Sequence, residues 1–431
     1  DQMLSLAPDP LMARAAERMA NPHGWLTLGC STEVMWGEFP NASKPPYHVL
    51  ATLPDLSFYC DCAARKRPCR HAVSLALLAA REGDSFAAAE PPPWVREKLK
   101  SWPSAVATSP LSSAAPAAAA AGYQEQLQTV KTGMRQFERW LKDTVHSGLA
   151  GLPAAPLAQW NEVVARLSEA GAPEIAQDMR DLRKVAGSHP GWPEAMLRRL
   201  GRFYLLVQGF AAYDELPPES QADLRAAVGW FEDPSYPGEE HLRDRWQVLG
   251  TIHNLQGRHN MRRTWLYGRK HRRFAFISQR SQKEILQPVL LSGTTLAATL
   301  RFAPGGWPQR AAIAELLAKT PDSAAVQGTP SLREARIAYG KALSVNPWLR
   351  QFPLVLDRVQ AETEGGLWAL RDREGTVAPL PHPFFYGWHL QVMSSTDGRA
   401  VFGEWNGLAY TPLALFHNNT WLALRVLRGQ R

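Results

Sequence analysis

Three of the four cysteines in this 431-residue chain fall within ten residues, in the stretch Cys60-Asp61-Cys62-Ala63-Ala64-Arg65-Lys66-Arg67-Pro68-Cys69-Arg70-His71. A C-x-C pair followed by C-x-H offers three thiols and an imidazole at the separation a tetrahedral zinc ion gathers. A segment this short and this rich in ligands folds around its ion, which limits what the amino-terminal region can become.

The flanking pattern says how the ligands are presented. Leu56, Phe58 and Cys60 alternate in a strand that follows an extended run over 47–53, so Cys60 and Cys62 lie at a hairpin end, facing the same side. Residues 71–81 are rich in helix formers, which places Cys69 and His71 at a helix N-terminus. There the free backbone N–H groups favour the net negative charge of three thiolates on a divalent cation, and Arg65, Lys66, Arg67 and Arg70 add to that field. Four protein ligands leave no open coordination position, so the ion is expected to be structural, not catalytic. Two disulfides are the competing reading. They fit a secreted chain, whereas no basic-then-apolar leader is read here and four cysteines in so long a sequence suit a reducing compartment. Cys30 stands apart and is expected to be a core thiol.

The C-x-C, short loop and C-x-H spacing on strand, strand and helix resembles the SWIM zinc finger. Trp36-Gly37, Lys44-Pro45-Pro46-Tyr47, Phe58-Tyr59-Cys60-Asp61-Cys62 and Lys66-Arg67-Pro68-Cys69-Arg70-His71 carry the likeness. The whole chain also resembles a bacterial family of SWIM zinc finger proteins, through Pro92-Pro93-Trp94-Val95, Phe137 to Asp143, Asp244 to Gly250 and Phe402-Gly403-Glu404-Trp405. The resemblance implies Zn2+ held by Cys60, Cys62, Cys69 and His71, in a module that binds DNA or proteins. It also implies partners, since that family is similar to products encoded beside MoxR-type AAA+ ATPases and von Willebrand factor A domain proteins.

Length and patterning set an α+β multidomain frame. Residues 1–81 hold a short helix over 10–19, the strands and the ββα finger; residues 82–122, rich in Pro, Ala and Ser, read as a linker, in which 92–99 can still fold as a docked helix. Over 123–230 apolar residues recur at threes and fours, as in Leu127, Val130, Met134, Phe137 and Leu141, and predict a bundle of four to six helices. After Pro234 the period becomes that of strands, in a basic β-rich domain over 231–320; helices are expected at 309–318 and 332–343, and the region 321–431 then returns to strands in a small sandwich or barrel. No apolar run reaches the roughly 20 residues of a membrane-spanning helix.

Charge is local. Lys and Arg exceed Asp and Glu by 48 to 40, and residues 245–283 hold ten basic side chains and no acid, so without that stretch the net charge of +8 becomes −2. Arg258, Arg262, Arg263, Arg269, Lys270, Arg272 and Arg273 interleave with Trp265, Tyr267, Phe274 and Phe276, a composition suited to phosphate contact and base stacking, to an acidic protein surface, or to solvation of an ordinary rim. Strand alternation also puts Trp265 and Tyr267 on one face, where aromatics serve as core. No phosphate-binding, nucleophile-elbow, metalloprotease or dinucleotide motif appears, so no enzyme activity is expected. The sequence thus predicts a cytoplasmic, zinc-binding adaptor, with DNA or RNA binding through the finger and the hairpin 258–273 as the alternative; Arg65, Lys66, Arg67 and Arg70 of the finger join the hairpin's basic residues as candidates for contact with nucleic acid or an acidic partner.

Overall fold

The computed structural model describes residues 3, 6–31, 33–41, 45–53, 57–64, 67–100, 116–188, 191–230, 240–256, 259–281, 290–307, 309–384, 386–394 and 397–424. At the amino end α1 (Pro10–Met19) starts where the Asp9 carboxylate accepts from the Met12 amide at 2.7 Å, with Pro10 in the first turn, where its missing N–H costs nothing. Strands β1 (Thr27–Cys30), β2 (Val34–Phe39), β3 (Tyr47–Thr52) and β4 (Phe58–Cys60) form an antiparallel meander, and β5 (Ala87–Ala88) joins the far side of β1 in parallel. Alternation divides the sheet. Met35, Val49, Ala51, Phe58 and Cys60 face α1 and α2 (Arg70–Arg81), while Val34, Trp36, Leu50 and Tyr59 face α3 (Pro93–Lys100) through Val95 and Trp94.

That second layer corrects the expected linker over 82–122. Its first part, through residue 100, completes the finger domain, because without α3 the sheet would expose Trp36, Leu50 and Tyr59 to water. The alanine run expected to close the linker belongs instead to α4 (Pro116–His146), since alanine is the strongest helix former. Residues 101–115 of the expected tether lie outside the described ones.

The bundle over 123–230 follows as expected: α4, α5 (Leu157–Glu169), α6 (Pro173–Arg183), α7 (Trp192–Ala211) and α8 (Pro218–Val228) close around Met134, Phe137, Trp160, Met179, Phe203 and Phe210. Gly229 ends α8 at φ +100°, a left-handed position that a side chain would strain.

The carboxyl half is one two-layer unit in which the expected division at residue 320 disappears. Strands β6 (His241–Gln256), β7 (His259–Gly268), β8 (Arg273–Ser281), β9 (Thr295–Phe302) and β10 (Ala311–Thr320) make the first sheet. The long β6 pairs with β9 through its first half and, past a bulge at Leu249, with β7 through its second; β8 extends β7 and β10 extends β9. A parallel bridge from Phe276 to Arg310, with the Phe276 amide donating to the Gln309 carbonyl at 2.6 Å, brings β8 against the start of β10. The order β6-β7-β8-β10-β9 and back to β6 is that of a partly open Greek-key barrel of OB type, closed over Trp246, Val248, Leu266, Ala275, Leu296, Leu300 and Phe302. The helix expected at 309–318 is therefore strand β10. Alanine, leucine and glutamate there favour a helix locally, but pairing with β9 along its length satisfies the backbone and overrides that preference.

The second sheet has the order β13-β12-β11-β14-β15-β16, from β11 (Phe352–Glu364), β12 (Leu367–Arg371), β13 (Val377–Pro379), β14 (Arg399–Trp405), β15 (Tyr410–His417) and β16 (Thr420–Ala423). Helices α9 (Leu332–Val345) and α10 (Gly387–Ser394) pack on one of its faces; the other lays Val355, Phe402, Leu413 and Trp421 on Leu249, Ile252 and Trp265 of the barrel. The sandwich expected within 321–431 is thus an open sheet closed against the barrel. The helical bundle meets this unit through Arg350, whose guanidinium pairs with Asp178 at 2.7 Å and Glu174 at 3.3 Å, and through the Gly306 amide, which donates to Asp223 at 3.0 Å. Among the described residues no helix is long and apolar enough to cross a membrane.

Candidate metal centre

Four side chains converge where β4 ends and α2 begins. Cys60 closes β4, Cys62 follows it, Cys69 is the N-cap of α2 and His71 lies in its first turn. Their ligand atoms all lie within 4.8 Å of one another and all four residues are buried. His71 Nδ1 is 3.7 Å from Cys60 Sγ and 3.8 Å from Cys69 Sγ. Tetrahedral zinc with ordinary Zn–S and Zn–N bonds puts sulfur and nitrogen ligands roughly 3.6 Å apart, so the donor set fits such an ion in composition and in spacing. No carboxylate belongs to the set. The charge that a cation would meet comes from the thiols, and their crowding already redistributes protons: contact with Cys62 pushes the Cys60 thiol far up, and the same contact pulls Cys62 far down.

The surroundings hold this arrangement. The Arg67 guanidinium, 9% exposed, donates to the carbonyls of Cys60 and Cys62, each at 2.7 Å, and ties the two ends of the C-x-C turn together. Asp61, between them, accepts from the His48 amide at 3.0 Å and meets His48 Nδ1 at 3.0 Å. The His71 ring sits between Phe39 and Tyr47, with centroids 5.1 and 5.0 Å away. These partners orient first the backbone and then the ligands. Spacing alone points to the four residues that converge here, whereas the clamp by Arg67 and the rings of Phe39 and Tyr47 carry no signal in the sequence beyond their types. Arg70 is exposed on the first turn of α2; Arg65 and Lys66 lie outside the described residues. Cys30 stays apart from the cluster, half-buried against the finger core as expected.

The basic hairpin is placed differently from a phosphate-binding surface. Arg262 is buried, and burial lowers its guanidinium to about 10. Arg263 donates to both carboxylate oxygens of the buried Glu404, at 2.8 and 2.9 Å, and Trp265 Nε1 donates to the same carboxylate at 2.7 Å. Arg269 pairs with Asp322 at 2.9 Å; Arg273 pairs with Glu240 at 2.6 Å and lies over Phe302. Lys270 and Arg272 are exposed, Arg272 donating to Gln327, and Arg258 lies outside the described residues. Trp265 is buried under the second sheet, and Tyr267, Phe274 and Phe276 pack, half-buried, against the same cluster.

Residues 125–228 match the family model of the SWIM-associated four-helix bundle domain. No curated protein and no solved structure matches the chain. The bundle that gives this match follows, in the same chain, a strand–strand–helix unit with a C-x-C and C-x-H cluster. The match and the cluster together support a SWIM zinc finger family protein.

Proposed function

We propose that this chain is an adaptor whose finger is held by one structural zinc ion, and that it works in the cytoplasm through contact with a protein partner. The observation that carries the zinc assignment is the closed set of four buried donors at tetrahedral spacing, with the Arg67 clamp behind it. Cys60, Cys62, Cys69 and His71 would hold the ion, which would fasten β4 to the start of α2. With all four positions filled by protein, the ion supplies folding energy and no site for substrate, which supports a non-catalytic role. Thiolate ligation needs reduced cysteines, in keeping with a reducing compartment.

A MoxR-type AAA+ ATPase system, with its von Willebrand factor A domain proteins, is the partner class to which the resemblance points. The nucleic-acid reading draws less support, since three of the five described hairpin arginines are occupied by Glu404, Asp322 and Glu240 and the aromatics between them pack against the second sheet. Elemental analysis of reduced protein should return one zinc per chain, and purification under nuclease treatment should retain an ATPase. A chain ordered over 47–81 without metal overturns the zinc assignment; recovery that nuclease abolishes overturns the adaptor.

A further inference from the structure

The helical bundle carries an apolar stripe that its own core does not use. On α7, Leu197, Gly201, Tyr204 and Leu205 follow the spacing of one helix face, and Leu197 is 53% and Leu205 45% exposed. The buried stripe of the same helix, Met196, Leu200, Phe203 and Val207, points the other way. Helix α4 runs antiparallel beside it: Gln208 donates to Glu138 at 3.0 Å, and Lys142 stands over the Tyr204 ring. Continuing that register, the exposed Val145 comes alongside Gly201.

Gly201 is the unusual member. A Cβ there would meet nothing within 4 Å, and its helix is regular, so no contact inside the chain requires a missing side chain. Glycine in a helix interior nevertheless costs about 1 kcal/mol relative to alanine. A second helix laid along the stripe would use that gap, because the distance between packed helices is set by the side chains at their contact.

The rim is basic. Helix α7 sets Arg198 and Arg202 along one edge of the stripe, against the single acid Glu194. Arg198 is exposed, Arg202 donates to the Leu349 carbonyl and not to an acid, and across the groove Lys142 is already neutralised by Glu138. Two copies of this face would bring like charges together. The longer segments of the chain outside the described residues do not suit it either: 101–115 has no acid, 282–289 sets Lys283 beside its one acid Glu284, 425–431 carries three arginines, and 231–239, though acidic, contains Pro234 and Pro237.

We propose that the α4–α7 face is the docking surface for an amphipathic helix of a partner protein, one whose apolar stripe is bordered by aspartates or glutamates. It rests on the adaptor reading and gives that reading a place of contact. The test puts a photo-crosslinking side chain at Leu205 of the full chain in its native host, with Glu162 on α5 as control, and sequences the joined peptide. That peptide is then synthesised and its binding to the purified chain followed by fluorescence anisotropy. The expected result is an acidic, helix-forming segment joined at Leu205 and not at Glu162. Leu197→Glu should weaken its binding about tenfold or more, and Arg198→Glu several-fold where Arg198→Lys does not. Both positions are exposed, so the melting temperature should stay unchanged. A partner that purifies with the chain but joins elsewhere overturns the docking surface and leaves the adaptor standing. A second copy joined at Leu205, or a segment without acids, also overturns the proposal, and failure to retain any partner overturns both readings.

Discussion

Truncating Arg263 separates a hairpin whose charge faces inward from one that serves a polyanion. Its guanidinium forks onto Glu404, a residue 2% exposed on β14, and the Trp265 indole supplies the only neutral donor drawn to that carboxylate among the described residues. Arg263→Ala therefore leaves a carboxylate between the two sheets with its charge uncompensated, a change that costs about 3–5 kcal/mol in buried pairs. For a unit of this size 1 kcal/mol moves the midpoint by about 2–4 °C, so the β-rich half should melt about 6–20 °C lower. An arginine that merely waits for phosphate would cost within about 0.5 kcal/mol. Calorimetry of the full chain reads the fall, and repetition at high salt tests burial, since a desolvated pair is little screened. The double variant Arg263→Met with Glu404→Leu should regain most of the loss, because replacing both partners removes the orphaned charge along with the pair. A fall below about 2 °C for Arg263→Ala, or a double variant no better than the single, refutes the inward-facing pair.

Replacing Cys69 with Ala should abolish stoichiometric zinc and unfold the region 47–81, while far-UV circular dichroism keeps the signal of the bundle, whose core shares no member with that of the finger. Arg67→Ala removes the clamp on the Cys60 and Cys62 carbonyls without touching a ligand and should lower zinc affinity about 10- to 100-fold in competition with a chromophoric chelator. Asp223 adds a pH dependence: burial raises its carboxyl to about 7, although the Gly306 amide pulls it down. The unfolded chain releases that proton near pH 4 and the folded chain near pH 7, so stability falls as pH rises across this window and is flat above it. Asp223→Asn keeps an acceptor for Gly306 and should melt higher than the parent at pH 8, with the difference vanishing by pH 4; equal melting temperatures at pH 8 would exclude an ionised, buried Asp223.

The Cys/His cluster is legible because metal spacing is a local code: four residues within twelve positions mark a candidate centre before any packing is known. Helix periodicity likewise announced the bundle, since Leu127 to Leu141 meet the core as one stripe. What escaped depends on contacts between distant segments. Nothing within residues 93–100 says that Val95 covers Trp36, Leu50 and Tyr59, and nothing local to 311–320 reveals β9, whose pairing turns a helical composition into a strand. Arg67 counted as charge in the sequence, yet its use is to hold two carbonyls that lie five and seven residues before it.

The barrel shows how a local reading of charge and aromatics meets a second use in the packing. Strands two and three of an OB-type barrel, here β7 and β8, form the face that commonly takes oligonucleotides, and arginine and aromatics alternate on them as such a face requires. In this chain the second sheet occupies it. Trp265 meets Phe402 edge-on at 6.3 Å, Phe274 stacks on Phe402 at 5.9 Å, and Glu404 takes the position of an anion against Arg263. An acidic side chain from the same chain satisfies the recognition chemistry that the hairpin advertises, so the barrel acts as the floor of a sandwich. Any nucleic acid reaching that face would have to displace a buried apolar layer and a desolvated ion pair together. That requirement moves the search for a partner surface away from the hairpin and towards the bundle, where Leu197, Leu205 and Arg198 face outward.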